Sequence, residues 1–283
     1  MTDVLPEFSV LLPVYHRDVP AHLVRAARSV TDEQALRPAE LVVVQDGPVG
    51  APLEQALEQI RRESPVPVRL VVLPENRGLA EALEAGLRAC SHDIVARMDA
   101  DDVSRPERFA RQIPFLVCGH DVVGTAIQEF EDDEADPGAV RVPPVGTQEI
   151  VRAARLRSPF HHPSVVFRRA AVEAAGGYEH LALLEDYWLF ARMLHGGARP
   201  ANLPEPLLLY RVGAGAYARR GGAEILRSEI ELQRRFRRLG FTTSLQAVRN
   251  VLVRGGYRLV PEPIRRRSYR RFMLGRTHHG TAV

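Results

Sequence analysis

No lysine occurs anywhere in the chain: all 38 residues counted as Lys+Arg are arginine. A bias that complete reads as genome composition rather than function, although a guanidinium does favour the planar forks that grip phosphate and carboxylate. Cysteine is nearly absent as well. Cys90 and Cys118 fall in stretches that read as helix and loop, and support neither a disulfide framework nor a zinc site. A surplus of one charge is also missing: 38 Lys+Arg against 35 Asp+Glu leave +3, too little to argue for nucleic acid. No basic N-terminal region runs into a long apolar stretch, and no segment approaches the roughly 20 apolar residues of a membrane span. Neither a signal peptide nor a transmembrane helix is therefore expected, and a cytoplasmic protein is. The remaining composition is ordinary for a soluble globular protein. A chain of 283 residues can bury a full core, as one large domain or one domain with an extension.

What the chain does have is an alternation of β-rich runs with amphipathic stretches. Residues 8–14 read as a strand, and Pro20 then opens a helix with Leu23, Ala27 and Val30 on one side. Residues 41–44 form a second strand, stopped by Gln45-Asp46-Gly47 and followed by a helix over 52–62. Residues 68–73 form a third, punctuated by Asn76-Arg77-Gly78, before a helix striped by Leu79, Leu83, Leu87 and Cys90. Residues 94–98 form the fourth. This spacing predicts an α/β fold with a parallel sheet, in which ligands bind beyond the carboxyl ends of the strands. Tyr15, Asp46, Asn76, Arg77, Asp99 and Asp101 all follow strand ends, so they share one rim. The second half is less regular, with strands expected over 121–130, 164–167 and 207–211 and an acidic loop over 129–138. Helices are expected over 147–156, from Glu185 to the Gly196-Gly197 pair, and over 223–239.

One stretch organises the rest. Met98-Asp99-Ala100-Asp101-Asp102 closes the fourth strand with three carboxylates, which repel one another and are costly to desolvate. Such a cluster either faces water or shares a cation. Asp99 and Asp101, two apart on extended chain, point the same way, and their oxygens suit a hard divalent ion that keeps waters and grips a phosphate. The alternative is a solvated loop capping a helix that starts near Pro106, for which Ser104-x-x-Glu107 has the form of a capping box.

Pro13-Val14-Tyr15, Val42-Val43-Val44-Gln45-Asp46-Gly47, Asn76-Arg77-Gly78-Leu79 and Met98-Asp99-Ala100-Asp101-Asp102 occur in an order and spacing that resembles the family 2 inverting GT-A glycosyltransferases. That family includes the bacterial enzymes of capsule, exopolysaccharide and lipopolysaccharide synthesis. Phe160-His161-His162-Pro163-Ser164, Gly176-Gly177-Tyr178, Glu185-Asp186-Tyr187-Trp188 and Leu209-Tyr210-Arg211 resemble its amylovoran-type members. The resemblance implies a GT-A domain over 1–240. Its nucleotide-sugar-binding half (1–103) would be a mostly parallel sheet flanked by helices, and its acceptor-side half (104–240) would be mixed. A basic, helical, amphipathic extension at 241–283 would follow.

The implied reaction moves a sugar from a nucleotide-diphosphate donor, a UDP-sugar by resemblance, to a glycan or lipid-linked acceptor in cell-surface polysaccharide synthesis. By the same resemblance Pro13, Tyr15, Asp46, Asn76, Arg77, Asp99 and Arg211 bind the donor. Asp46 would accept from the imide N–H of uracil, Arg77 would lie against the base or a phosphate, and Asp99 would hold the ribose. Asp101, with Asp99, would hold Mn²⁺ or Mg²⁺ against both phosphates, while Asp102 either joins them or caps the next helix. Asp186, with Glu185 beside it, is implied as general base on the face opposite the leaving group. The helix start there predicts carboxylates held low in pKa. His162 would touch acceptor or diphosphate, or else be a buried structural histidine. Trp188 would stack on an acceptor sugar, or else belong to the core.

Two departures from the family pattern stand out. Gln45 replaces an acid that members often carry before Asp46, and Gly213 stands where many place a histidine after the Tyr-Arg motif. Arg211, Arg219 and Arg220 remain to close over the diphosphate, with Gly213, Gly215, Gly221 and Gly222 allowing either a moving lid or a plain flexible loop. From 248 to 276 arginines alternate with Val251, Leu252, Tyr257, Leu259, Ile264 and further apolar residues, with Glu262 the single acid. That segment could lie on an anionic membrane surface, placing the protein peripherally at the inner face of the cell membrane. It could equally pack on the domain or on a second copy. Two other readings stay open: a sugar nucleotidyltransferase, which would want a glycine-rich phosphate loop that is missing after the first strand, and a worn nucleotide-sugar-binding module.

Overall fold

The first strand is apolar on both faces and so calls for cover on both sides. In the computed structural model, which describes residues 5–212 and 223–255, it has that cover. The first half runs β1 (Phe8–Tyr15), α1 (Pro20–Val30), β2 (Glu40–Asp46), α2 (Ala51–Glu63), β3 (Val68–Val72), α3 (Leu79–Ala89) and β4 (Ile94–Arg97). These strands lie in the order β3-β2-β1-β4 and every pairing among them is parallel. Pro20 opens α1, and Leu23, Ala27 and Val30 are buried beneath it as the periodicity requires.

The chain leaves β1 for β2 on one side and returns to β4 on the other, so the strand order reverses between β1 and β4. A crevice opens at such a switch point. Pro13 helps to open it. β4 pairs with β1 only as far as Leu11, opposite Arg97, so Pro13 has no β4 partner to which a missing N–H would matter. Beyond that register the two strands part.

The second half continues the sheet as β8-β6-β9-β5, with β7 off β6. Its elements are β5 (Val103–Ser104), α4 (Arg108–Val117), β6 (Val122–Phe130), β7 (Val140–Arg141), α5 (Thr147–Ala154), β8 (Val166–Arg168), α6 (Arg169–Ala174), α7 (Glu185–His195), β9 (Pro200–Arg211), α8 (Ala223–Leu239) and α9 (Ser244–Asn250). Only β6 and β9 pair parallel here; β4–β8, β6–β8, β6–β7 and β5–β9 are antiparallel. A mostly parallel first half and a mixed second half match the expectation.

Two details differ from it. β9 begins at Pro200 rather than near Leu207, because its two interior prolines, Pro204 and Pro206, lie where the pairing with β6 slips register around Ala126. The capping box does not form: α4 starts after Glu107 with no side-chain cap, and Ser104 is held in β5, its backbone N–H donating to Ser29 Oγ at 3.0 Å.

Side chains alternate across the sheet into two apolar layers. Val10, Leu12, Val43 and Ala96 meet α1, α2 and α4, while Leu11, Val42 and Val95 meet α3, α7 and α8. By that alternation Arg97 emerges on the α7 side. α9 packs back on the domain through Asn250, whose Nδ2 donates to Arg155 O at 2.6 Å and Gln233 Oε1 at 3.0 Å. No helix among the described residues is long and apolar enough to cross a membrane. Arg219, Arg220, the glycines of that loop and residues 256–276 of the basic segment lie outside the described residues.

Candidate active site

Tyr15 and Asp46 end neighbouring strands in register with one another. Asp46 is buried, and its carboxylate accepts from the backbone N–H groups of Arg77 at 2.7 Å and Gly78 at 3.0 Å. Asn76 Nδ2 donates to the Asp46 carbonyl at 3.2 Å. Asp46 therefore anchors the turn that starts α3. Gly47 is needed for the approach: its φ is +82°, and a Cβ there would sit 2.4 Å from Asn76 N. Arg77 stands on the rim with its side chain 49% exposed, paired with Glu75 at 3.2 Å and Glu81 at 3.6 Å.

The acidic turn after β4 brings carboxylate oxygens of Asp99, Asp101 and Asp102 within 4.8 Å of one another. Asp102 is not a helix cap. It is buried, with Oδ1 accepting the Arg211 backbone N–H at 2.9 Å, because β5 runs antiparallel to β9 and sets these residues side by side. Asp102 Oδ2 is buried with no hydrogen-bond partner. Burial, then the charges of Asp101 and Asp99, push the Asp102 carboxyl well above its ordinary pKa. An all-oxygen cluster with an orphaned buried oxygen fits a hard divalent cation. The Arg211 guanidinium joins this turn to the end of β6: Nε donates to Asp101 O at 2.9 Å, Nη1 to Glu131 O at 2.8 Å, and the group lies 4.3 Å over the Phe130 ring.

The other wall comes from β8 and α7. β8 is antiparallel to β4, so the residues before it adjoin the carboxyl end of β4, where Arg97 N–H donates to Val165 O at 2.9 Å. His162 is thereby brought to the rim, buried, with Nε2 2.7 Å from Tyr178 Oη. Burial, then the Arg97 charge, push its pKa well down, so the imidazole is neutral.

Glu185 and Asp186 open α7, and Asp186 Oδ1 accepts the Tyr187 N–H at 2.7 Å. Burial raises the Asp186 carboxyl against the opposing Tyr187 hydrogen bond and Arg97 charge, and burial with the Asp186 charge raises Glu185 to about 7. The expectation that a helix start holds these acids low is overturned: here desolvation outweighs the helix start. Both acids also feel the Asp99 and Arg97 charges, so the start of α7 lies near the acidic turn. Trp188 is 7% exposed, donates through Nε1 to Glu179 Oε2 at 2.8 Å, and has Arg192 and Arg235 over its ring at 5.0 and 5.7 Å. It belongs to the core and presents no free ring to a sugar.

Sequence reasoning missed Arg97. The arginine is 2% exposed and pairs with Asp99 Oδ1 at 2.5 Å. The one available signal was a guanidinium at the end of an otherwise apolar strand, directly before the acidic turn.

Residues 9–176 match the sequence profile of Glycosyl transferase family 2. The chain is 36% identical over 270 residues, 95% of its length and 100% of the relative's, to the amylovoran biosynthesis glycosyltransferase AmsE of Erwinia amylovora. It is 32% identical over 273 residues, 96% of its length and 98% of the relative's, to the UDP-Gal:alpha-D-GlcNAc-diphosphoundecaprenol beta-1,3-galactosyltransferase of Escherichia coli. Among solved structures it resembles the mannosyltransferase PcManGT of Pyrobaculum calidifontis in complex with GDP-Man and Mn²⁺, with a TM-score of 0.64 and 19% identity over 99% of this chain and 77% of that one. The fold is thus of the GT-A type, and the chain belongs to glycosyl transferase family 2 and is a glycosyltransferase.

Proposed function

We propose that the protein transfers a sugar, with inversion, from a UDP-sugar to a hydroxyl of a glycan or lipid-linked acceptor in cell-surface polysaccharide synthesis. What supports this reading is the Asp99, Asp101 and Asp102 cluster, with the Glu185–Asp186 pair near enough to feel the Asp99 charge. The Escherichia coli relative, named for UDP-Gal and a diphosphoundecaprenol acceptor, supports both donor and acceptor class.

Pro13, Tyr15, Asp46, Asn76 and Arg77 line the donor side of the crevice, where Asp46 fixes the Asn76–Gly78 turn against which the base would lie. Asp99 and Asp101, with Asp102 behind them, would hold Mn²⁺ or Mg²⁺. What a divalent cation supplies in that seat is positive charge beside the departing diphosphate. Arg211 ties the acidic turn to the residue after β6 by donating to the carbonyls of Asp101 and Glu131.

On the opposite wall Asp186 takes the proton of the acceptor hydroxyl as its oxygen attacks the anomeric carbon, while the bond from that carbon to the diphosphate breaks. Two coupled buried carboxyls share a proton. Burial raises both carboxyls, so each is a stronger base than an exposed carboxylate. Neutral His162, bonded to Tyr178, can offer a hydrogen bond to acceptor or diphosphate without adding charge.

A second surface bears on the acceptor. Leu245, Val248, Leu252 and Val253 are all exposed on α9 and the turn after it, beside a groove of about 480 Å³ lined by Ile230, Arg234, Arg237, Arg238 and Val248. Apolar side chains ringed by arginines match an anionic bilayer surface. We assign this face to peripheral membrane contact. Binding to phosphatidylglycerol vesicles that is lost in a Val248→Ser/Leu252→Ser double variant supports it; binding unchanged by that variant overturns it.

The donor reading is tested by thermal unfolding with UDP, GDP and ADP, each with and without Mn²⁺, since a ligand that binds only the folded form raises apparent stability. Stabilisation by UDP that requires Mn²⁺ is expected. Preference for an adenine or guanine nucleotide contradicts the UDP assignment, and release of pyrophosphate rather than UDP during turnover contradicts transfer itself.

A further inference from the structure

The His162 imidazole is held firmly for a side chain at the rim. Its ring lies 5.6 Å from the Tyr178 ring and 5.9 Å, edge to face, from the Phe190 ring, and Nε2 is 2.7 Å from Tyr178 Oη. The short turn that His162 opens is pinned by Ser164, whose Oγ donates to His161 O at 2.8 Å and accepts the Thr125 N–H at 3.1 Å. Tyr178 is fixed in turn from α3, its backbone N–H donating to Glu84 Oε1 at 2.5 Å. Gly177 makes room for that carboxylate: its φ is +69°, and a Cβ there would sit 2.5 Å from Glu84 Oε1. The Gly176-Gly177-Tyr178 motif thereby delivers a phenol to the imidazole.

The direction of the Tyr178–His162 bond follows from what each group could do otherwise. Tyr178 is buried, burial raises the pKa of its hydroxyl so that the proton stays on it, and the hydroxyl makes no other hydrogen bond among the described residues. Were Nε2 to donate, the phenolic proton would be buried without an acceptor, at the full cost of its desolvation. His162 Nδ1 also has no partner among the described residues, but it is not sealed from solvent, so a proton there loses nothing. A neutral imidazole carries one N–H and one bare nitrogen, and the partner of one settles the state of the other. We infer that Tyr178 is a positioning residue: its hydroxyl donates to Nε2, which fixes the His162 proton on Nδ1 and presents it to the crevice as an uncharged donor. Burial, which holds the His162 pKa well down, keeps the ring in that neutral form. The substrate atom it meets rests on the UDP-sugar reading. A donor would weaken an attacking hydroxyl but stabilises an oxygen that gains charge, so that atom is an oxygen of the leaving diphosphate.

The wild type is measured first. Proton–nitrogen correlation NMR on histidine-labelled protein at neutral pH, with the His162 signals assigned by their loss in His162→Gln, should show a proton on Nδ1 and a bare, hydrogen-bonded Nε2. A proton on Nε2 overturns the inference. In Tyr178→Phe the ring should populate both tautomers, and an unchanged His162 spectrum overturns the role of the hydroxyl. With the UDP–Mn²⁺ thermal shift as the check on folding, Tyr178→Phe should lose about tenfold in kcat, the worth of one hydrogen bond, with donor KM within about threefold. Unchanged kcat contradicts the inference. His162→Asn keeps an N–H donor near the Nδ1 position, whereas His162→Gln keeps one only near Nε2, so the asparagine variant should retain at least about tenfold more turnover. Equal turnover, or the reverse order, contradicts it. Should Tyr178→Phe not fold, the wild-type tautomer and the order of the asparagine and glutamine variants decide. Failure of the wild type to release UDP from any UDP-sugar would instead sink the proposed transfer and leave the tautomer standing, so the two failures are separable.

Discussion

The Asp46 carboxylate holds the backbone N–H of Arg77 at 2.7 Å, and through its second oxygen that of Gly78 at 3.0 Å. One side chain at the end of β2 thus fixes the start of α3 and the turn before it. Asp46→Ala leaves two N–H groups without acceptors. We expect a loss of about 1–3 kcal/mol, read as a melting temperature lower by several degrees, and weaker UDP binding. Asp46→Asn keeps one acceptor oxygen and should lose about half as much. Thermal unfolding with a UDP titration checks both.

Gly47→Ala tests the same turn from the other side. The added methyl meets Asn76 N at a φ of +82°. The turn must then move, and a destabilisation of at least about 1 kcal/mol is expected, with UDP binding impaired more than by an exposed Gly50→Ala control. Equal effects at the two positions would contradict the close approach.

Glu185→Gln tests the buried acid pair through pH. A carboxyl raised to about 7 in the fold binds more protons folded than unfolded between its unfolded pKa, near 4.5, and 7. Wild-type stability therefore falls as pH rises through that window. The glutamine variant lacks this loss, so its melting temperature should exceed that of the wild type by a few degrees at pH 8, with the difference shrinking toward pH 4.5. A variant that is less stable at pH 8 than at pH 4.5, relative to the wild type, contradicts the burial of this group.

Asp101→Asn tests the cation seat. With one carboxylate replaced, Mn²⁺-dependent stabilisation by UDP should drop at least about tenfold in apparent affinity, or by roughly 1.4 kcal/mol. EDTA should abolish that stabilisation in the wild type while leaving the melting temperature of the free protein unchanged. Isothermal titration of UDP with Mn²⁺ reads the affinity, and thermal unfolding with and without EDTA reads the rest.

The first four strands and three helices were legible because each has an unbroken apolar period and a turn residue at its end. Their alternation also puts Tyr15, Asp46 and Asp99 on one rim from sequence alone. What was not legible depended on contacts between distant segments. Ser104 has the sequence of a helix cap, but its pairing with Leu208 in β9 claims it for a strand. Helix-start electrostatics suggest low pKa values for Glu185 and Asp186, and only the tertiary cover of α7 reverses that. Trp188 could have faced a sugar until α8 supplied Arg235 to lie over it. Arg97 was the costliest omission: at the end of an apolar strand an arginine reads as the point where chain meets water, whereas here it is buried and paired with Asp99.

The most direct measurement is on Asp186→Asn, which keeps the shape of the side chain and removes its basicity. UDP affinity in the presence of Mn²⁺ and turnover of the UDP-sugar are measured on the same preparation, with the anomeric configuration of the wild-type product assigned by NMR. We expect UDP binding within about threefold of wild type, turnover lowered by at least about 10²-fold, and an inverted anomer. Retained turnover, or a product that keeps the donor's configuration, would contradict Asp186 as the base of an inverting transfer.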